Sequence, residues 1–195
     1  AVSTSLTKWV SGVGDVLAGA VRFNHSSPLA EELRRVLDDE VPDGSRLYPR
    51  DAEVLAANAA DFELRVNECN NNGRAVAEFL HGHPAVAQVW YPSLVDRGEY
   101  EALQRPGAGF GGLMSFTLKL PERTPELYKA MRFSKGPSLG TDYSLLCPYA
   151  LLAHYTEIPW ANECGVATEL LRLSVGREPV EDLLARLDGA LAMVE

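Results

Sequence analysis

The chain has 195 residues, of which 46% are hydrophobic and 23% charged, a composition typical of a folded protein with one or two domains. Its formal net charge of −9 argues against nucleic acid or an anionic membrane as the main partner, because both are bound by clustered Lys and Arg. The cysteines, Cys69, Cys147 and Cys164, predict free thiols in a reducing compartment; with no long apolar run and no signal-peptide pattern, we expect a cytoplasmic protein.

Residues 1–53 predict a strand, a glycine-punctuated loop and then a helix. The apolar run at residues 16–23 is typical of a buried strand. Ser27 followed by Pro28 predicts the start of a helix, with a hydroxyl cap and a proline in the first turn. The next apolar residues fall on one face of that helix: Leu29, Leu33, Val36 and Leu37. Pro42-Asp43-Gly44 then predicts a turn.

From about residue 54 to its end, the chain predicts an α/β domain, because helical and strand patterns alternate over short connections. A long helical pattern spans residues 55–80; we expect it to end at Gly82 and Pro84 and to kink near residues 70–73. Strands are predicted at 86–90, 111–118 and 170–175, and helices at 125–132 and from Glu178 onwards. In the second strand, Met114, Phe116 and Leu118 share one side, and Leu113, Ser115 and Thr117 share the other.

Lys8 is the first candidate for chemistry, within Ser5-Leu6-Thr7-Lys8-Trp9. A lysine amine can condense with an aldehyde if apolar neighbours help it to lose its proton. Ser5 and Thr7 would point to one side of an extended segment, where their hydroxyls could hold a phosphate. These are the parts of an anchor for pyridoxal phosphate. The plainer alternative is a solvated surface lysine.

Arg172 is the second candidate, because it interrupts an apolar strand and is costly to bury unless it meets an anion. Its guanidinium fork suits a substrate carboxylate, and the Ser138-Leu139-Gly140 loop could add a hydroxyl and a backbone group. The alternative for Arg172 is a structural ion pair.

Three further patterns predict no site. Residues 107–112 satisfy GxGxxG, but a strand pattern follows them instead of a helix, so we expect a flexible turn and no dinucleotide. His81 and His83 predict an exposed helix end, and no ligand cluster accompanies them, so no metal site is expected. Cys147 and His154 favour a packed loop over a nucleophilic pair.

Together, these segments resemble the cystathionine γ-synthase family, the pyridoxal-phosphate enzymes (fold type I) of methionine and cysteine metabolism. The similar motifs follow one another in family order: residues 5–19, 109–116, 138–140 and 171–176. The resemblance covers essentially the whole chain but only the second half of the usual family protein.

The resemblance implies a fold and a set of roles. Residues 1–53 would end the large domain that binds the cofactor, and residues 54–195 would form an α/β small domain with a mainly antiparallel sheet covered by helices. Lys8 would join covalently to pyridoxal 5'-phosphate and transfer protons. Ser5 and Thr7 would bind its phosphate, while Ser138 and Arg172 would hold the α-carboxylate of a small amino-acid substrate. The reaction implied is γ-replacement on an activated homoserine or a sulfur amino acid.

Departures from the family pattern leave alternatives open. Val13 stands where His is common, Trp9 where Tyr is common, and Cys147-Pro148 where His-Pro is common. The family's remaining cofactor contacts belong to an N-terminal half, so we expect one half of a split or fragmented enzyme that needs an N-terminal partner chain, in a homo- or hetero-oligomer such as a dimer of dimers. The alternatives are a β- or γ-lyase of a sulfur amino acid, or a non-catalytic assembly subunit.

Overall fold

The computed structural model describes residues 1–41 and 46–195, and these form two compact units, Ala1–Phe62 and Glu63–Glu195. The sequence pattern had placed a domain boundary after residue 53. The turn predicted at Pro42-Asp43-Gly44 lies outside the described residues. Within residues 1–41 and 46–195, no helix combines the length and the apolar character needed to cross a membrane.

The first unit begins with an antiparallel hairpin. Strand β1, Val2–Ser5, pairs with β2, Gly19–Arg22, so that Ser5 lies opposite Gly19. The strand predicted at residues 16–23 is therefore shorter than expected, and the prediction that it is buried is wrong: Val21 is 46% exposed. A two-stranded hairpin gives each strand one neighbour and leaves its faces open unless another element packs on them.

Two helices complete the first unit. Helix α1, Ala30–Glu40, confirms the predicted helix, but Ser27 lies in the turn before it, where its hydroxyl accepts a hydrogen bond from the N–H of Leu29 at 3.3 Å. The apolar stripe is on the surface of the unit, with Val36 49% exposed. Helix α2 spans Pro49–Asn58 and runs into a 3₁₀ turn at Ala59–Asp61.

Helix α3, Phe62–Gly82, follows that 3₁₀ turn, and all of it except Phe62 belongs to the second unit. The single helix predicted from residue 55 is thus two helices, α2 and α3. Helix α3 runs without a break through residues 70–73, and the helical pattern is interrupted at residues 59–61 instead; a kink at 70–73 stays a prediction. The end at Gly82, shortly before Pro84, is confirmed.

A five-stranded mixed sheet forms the centre of the second unit. Its strands are β3 Val86–Trp90, β4 Leu113–Leu118, β5 Ser134–Lys135, β6 Leu145–Pro148 and β7 Leu171–Ser174. The order is β3-β4-β7-β6-β5; β5 and β6 are parallel and the other neighbours antiparallel. The helices are α4 Pro92–Val95, α5 Arg97–Leu103, α6 Thr124–Ala130, α7 Tyr149–Ala153, α8 Ile158–Glu163 and α9 Val180–Leu191. The α/β prediction is confirmed, but β5 and β6 were not predicted.

The two faces of this sheet differ in chemistry. On one face, Met114, Phe116 and Leu118 are buried, as the alternation predicted, in one cluster with apolar residues of α3 and α9. The other face carries a row of three side chains in register, in which Ser115 of β4 lies opposite Arg172 of β7, and Arg172 lies opposite Cys147 of β6. The core therefore fixes the sheet from one side and leaves a polar row on the other.

Helix α3 packs closely against the glycine-rich loop before β4. The loop is the predicted turn into a strand, and it is held in place: Asn70 Oδ1 accepts a hydrogen bond from the N–H of Gly111 at 2.8 Å, and the Tyr91 hydroxyl donates to the Gly111 carbonyl at 2.8 Å. A Cβ on Gly73 would lie 2.5 Å from the Gly111 carbonyl oxygen and 2.9 Å from Gly112 Cα. Both obstacles are backbone, so no side-chain rotation relieves them.

We therefore expect Gly73→Ala to lower the free energy of unfolding by about 1–3 kcal/mol, the usual cost of overpacking. Urea denaturation measures this value. The matched control is Gly98→Ala in α5, where nothing lies within 4 Å of the added Cβ; it should be neutral or stabilise by about 0.5–1 kcal/mol. Equal stability of the two variants would show that the helix does not approach the loop this closely.

Candidate active site

Lys8 lies in a hydrogen-bonded turn that follows β1. The N–H of Ser11 donates to the Leu6 carbonyl at 2.9 Å, and the N–H of Gly12 donates to the Lys8 carbonyl at 2.8 Å. Gly12 closes this turn with φ +73°, a conformation that glycine adopts without strain. The half-buried Lys8 is thus carried by a backbone segment of defined shape.

A side-chain network fastens the same turn to the end of α2. Ser11 is fully buried, and the Asn58 side-chain amide donates to its hydroxyl oxygen at 3.0 Å and to Asp15 Oδ1 at 2.9 Å. Sequence reasoning missed this role of Asn58, since nothing in the local pattern links it to a turn more than forty residues earlier.

The two hydroxyls before Lys8 have different surroundings. Ser5 is exposed at the end of β1. Thr7 lies in the turn, so the extended geometry that would align it with Ser5 ends before it. Its Oγ1 accepts a hydrogen bond from the N–H of Ala18 at 2.9 Å and donates to the Ala18 carbonyl at 3.3 Å. Thr7 thus ties the turn to the start of β2, and phosphate binding by Ser5 and Thr7 stays a prediction.

Arg172, in the second unit, is held by backbone carbonyls. Its Nη2 donates to the carbonyl oxygen of Pro137 and, at 3.1 Å, to that of Ser138. Its Nε is buried and has no hydrogen-bond partner among residues 1–41 and 46–195. In the same part of the chain no carboxylate pairs with Arg172, so the structural ion pair that the sequence left open is not formed there. The structure does place Ser138 beside the guanidinium, through its main chain.

The loop that supplies those carbonyls is fixed at both ends. The N–H of Gly140 donates to Ser174 Oγ at 2.9 Å, a buried bond that ties the loop to β7. Further along, the N–H and the hydroxyl of Ser144 donate to the Glu178 carboxylate at 2.8 and 2.9 Å. Asp142 lies 3.8 Å from the guanidinium of buried Arg65 on α3. The position of the carbonyls at Arg172 therefore depends on the core of the unit.

Cys147 of β6 lies opposite Arg172 on the neighbouring strand and is 2% exposed. Burial raises the pKa of its thiol, and the charge of Arg172 opposes this with a smaller effect. The thiol therefore stays neutral at ordinary pH and does not neutralise the guanidinium. His154 is not its partner: His154 Nδ1 lies 2.8 Å from Glu157 Oε1, and its ring packs on Tyr149.

The histidine pair at the end of α3 is only partly exposed. The ring of His83 is covered, its Nδ1 accepts from the N–H of Ala85 at 3.2 Å, and its Nε2 lies 3.7 Å from Glu195. The prediction of an exposed helix end therefore holds for His81 and is wrong for His83. Among the residues that the structure describes, no group of three or more His, Cys, Asp or Glu could hold a metal ion.

Comparison with known proteins identifies the family of this chain. The sequence model of the Cys/Met metabolism PLP-dependent enzymes matches residues 1–192. The chain belongs to this family. The resemblance drawn from the four motifs is confirmed, and the cofactor of the family is pyridoxal 5'-phosphate.

The relatives are synthases and lyases of sulfur amino acids. Cystathionine γ-synthase of Neurospora crassa is 38% identical over 195 residues, which are 100% of this chain and 31% of that protein. Cystathionine γ-lyase of Bacillus subtilis is 35% identical over 190 residues, 96% of this chain and 49% of that protein. The crystal structure of cystathionine γ-synthase from Xanthomonas oryzae pv. oryzae, in complex with aminoacrylate and cysteine, is 31% identical with a TM-score of 0.84. It is matched over 97% of this chain and 49% of its own. The chain thus spans from about a third to about half of the length of these relatives.

The thiols give a direct test of the environment of Arg172. Cys164 is exposed, Cys69 and Cys147 are buried, and burial raises the pKa of Cys69 to about 11 and raises that of Cys147. At pH 8 an aromatic disulfide reagent should react with Cys164 at least ~100-fold faster than with the other two, because the thiolate is the reactive form.

Cys164→Ser should remove the fast phase and leave the slow ones unchanged. A fast phase that disappears in Cys147→Ser would show that the Cys147 thiol is accessible or ionised, contrary to the surroundings described for Arg172.

Proposed function

We propose that this chain supplies the cofactor lysine and the substrate-carboxylate arginine of an enzyme that carries out γ-replacement on an activated homoserine or a sulfur amino acid. The observation that carries the proposal is the half-buried guanidinium of Arg172, which pairs with no carboxylate of the described residues and whose Nε lacks a hydrogen-bond partner there. An unpaired buried donor costs about 1–3 kcal/mol, and more when the group is charged. A bound carboxylate would satisfy the donor and compensate the charge together.

The arrangement around Arg172 suits a carboxylate in particular. Because two carbonyls hold Nη2, the guanidinium plane is set before the ligand arrives, and less freedom is lost on binding. The α-carboxylate is the one group that every amino-acid substrate carries, so Arg172 would orient the substrate whatever its side chain. Ser138 would take part through the loop that carries its carbonyl.

Lys8 would do the proton chemistry. Pyridoxal 5'-phosphate, when bound, supplies an electron sink that stabilises negative charge on the substrate carbons. The described residues fit this cofactor, because Lys8 offers a primary amine on a fixed turn and Ser5 offers an exposed hydroxyl next to that turn. The Lys8 amine would hold the cofactor aldehyde until the substrate amine displaces it, and the freed amine would then accept a proton from one substrate carbon and return it to another. Thr7 could donate to the phosphate only by releasing the Ala18 carbonyl.

The rest of the cofactor site would come from residues beyond these 195. Coverage of 49% of the Xanthomonas oryzae enzyme supports a need for an N-terminal half, supplied by a partner chain in an oligomer such as a dimer of dimers. The cytoplasmic location remains part of this proposal.

A β- or γ-lyase is the second candidate. The identity of 35% to the cystathionine γ-lyase of Bacillus subtilis is close to the 38% to the Neurospora crassa synthase, so similarity does not separate them. Product analysis does: replacement joins the acceptor thiol to the substrate, whereas elimination releases a keto acid and ammonia. A non-catalytic subunit would give neither product.

The role of Lys8 is tested by trapping the cofactor. The chain, assembled with its N-terminal half, is treated with pyridoxal 5'-phosphate and borohydride and then digested for mass spectrometry. We expect the reduced adduct on the Lys8 peptide and its loss in Lys8→Ala. Lys119→Ala, which changes an exposed lysine of the second unit, should leave labelling intact. An adduct that persists in Lys8→Ala would refute the assignment.

The role of Arg172 is tested by Arg172→Lys, which keeps the charge but removes the planar fork. KM for the amino acid should rise about 10- to 100-fold, as expected for loss of charge-assisted hydrogen bonds, with kcat changed less than about threefold. Arg105→Lys, at an exposed loop position, is the control. An unchanged KM would mean that another group receives the carboxylate.

A further inference from the structure

The guanidinium of Arg172, the candidate carboxylate receptor, lies over an aromatic ring. The Cζ atom of Arg172 is 5.4 Å from the centre of the Tyr149 ring. Tyr149 directly follows β6, and its N–H donates to the Leu170 carbonyl at 3.0 Å, which continues the hydrogen bonding between β6 and β7 by one residue. The backbone that carries the ring is therefore fixed to the strand that carries Arg172.

The ring and the carbonyls constrain different motions of the guanidinium. The Pro137 and Ser138 carbonyls lie at the edge of the group, where they hold Nη2. The Tyr149 ring attracts the cation through its π face and so resists movement of the plane away from it. The carbonyls and the ring together restrain the group, and its buried Nε–H has no partner in the described residues.

The ring is itself supported from another side. His154 packs on Tyr149 with ring centres 5.5 Å apart and planes at 68°, an edge-on geometry that aromatic rings favour. His154 is held in turn by Glu157, whose Oε1 lies 2.8 Å from its Nδ1. Helix α7 and the turn after it thus form a short series of contacts, Glu157 to His154 to Tyr149, that ends at Arg172.

We infer that Tyr149 is a positioning residue for the substrate carboxylate, acting through Arg172; this rests on the function proposed above. The ring carries the effect and the hydroxyl does not, because the Tyr149 hydroxyl makes no hydrogen bond within residues 1–41 and 46–195. Its contribution is to binding, since the carboxylate takes no part in bond breaking at the γ-carbon. A phenylalanine would preserve this role and an aliphatic side chain would not.

Steady-state kinetics of the assembled enzyme gives the first readout. Tyr149→Phe should keep KM within about twofold, whereas Tyr149→Leu and Tyr149→Met should raise it about 3- to 10-fold, as expected for a partly desolvated cation–π contact, with kcat changed less than twofold. The methionine variant retains more of the packing volume if the leucine variant folds poorly. Tyr155→Leu, at a side chain 75% exposed in the same segment, should behave like the unchanged protein.

The Nε–H resonance of Arg172 gives a second readout that needs no activity. In the ¹⁵N-labelled chain, the ring current of Tyr149 should shift this resonance, and both the shift and the slow exchange with water should persist in Tyr149→Phe. In the leucine and methionine variants the shift should disappear and the exchange should become faster.

The two readouts separate the inference from the proposed function. An Arg172 resonance that is the same in all Tyr149 variants would overturn the positioning role, whatever the kinetics. A resonance that changes as expected while KM stays constant would show that Tyr149 orders Arg172 without affecting carboxylate binding, which overturns the inference; the proposed function then stands or falls on Arg172→Lys alone. The inference is supported if KM rises and the resonance changes in Tyr149→Leu and Tyr149→Met, while Tyr149→Phe leaves both as in the unchanged protein.

Discussion

The half-buried guanidinium of Arg172 needs hydrogen-bond partners, and the groups around it on this face of the sheet show how it finds them. Two carbonyls hold one terminal nitrogen, an aromatic ring lies against the plane, and Nε–H lacks a partner in the described residues. The neighbouring side chain on β6 does not neutralise the guanidinium. Burial raises the pKa of Cys147, opposite Arg172, so its thiol stays uncharged. Among the described residues, the positive charge of Arg172 is therefore not neutralised by a carboxylate side chain.

The surrounding structure keeps these contacts in place. The apolar face of the sheet fixes β7, and the loop after β5 is tied to β7 by Ser174 and to α3 through Asp142 and Arg65. The first unit uses backbone hydrogen bonds in the same way, so that Lys8 is carried by a turn closed at Ser11 and Gly12. Each unit therefore holds one candidate site residue on a segment that hydrogen bonds fix, which is the kind of support that a precisely arranged site needs.

Long periodic segments could be predicted from sequence, and short or non-local ones could not. The alternation of apolar residues predicts β4, and the apolar run around Arg172 predicts β7. The glycine and proline after α3 predict where that helix ends. β5 and β6 are short, and their existence depends on pairing with distant strands. Lys8 was proposed from its flanking hydroxyls and the family resemblance, and Arg172 from the apolar strand that it interrupts; both roles stay predictions. Tyr149 was missed because an aromatic residue after a short apolar run carries no local signal; only the register with β7 places it at Arg172.

The proposed function depends most on an amino-acid carboxylate bound at Arg172, and a crystal structure of the assembled enzyme with an unreactive amino acid tests this directly. We predict a carboxylate oxygen within about 3 Å of a guanidinium nitrogen of Arg172, with the Pro137 and Ser138 carbonyls still on Nη2. A carboxylate bound to another cation, with Arg172 Nε paired to a protein acceptor, would contradict the account.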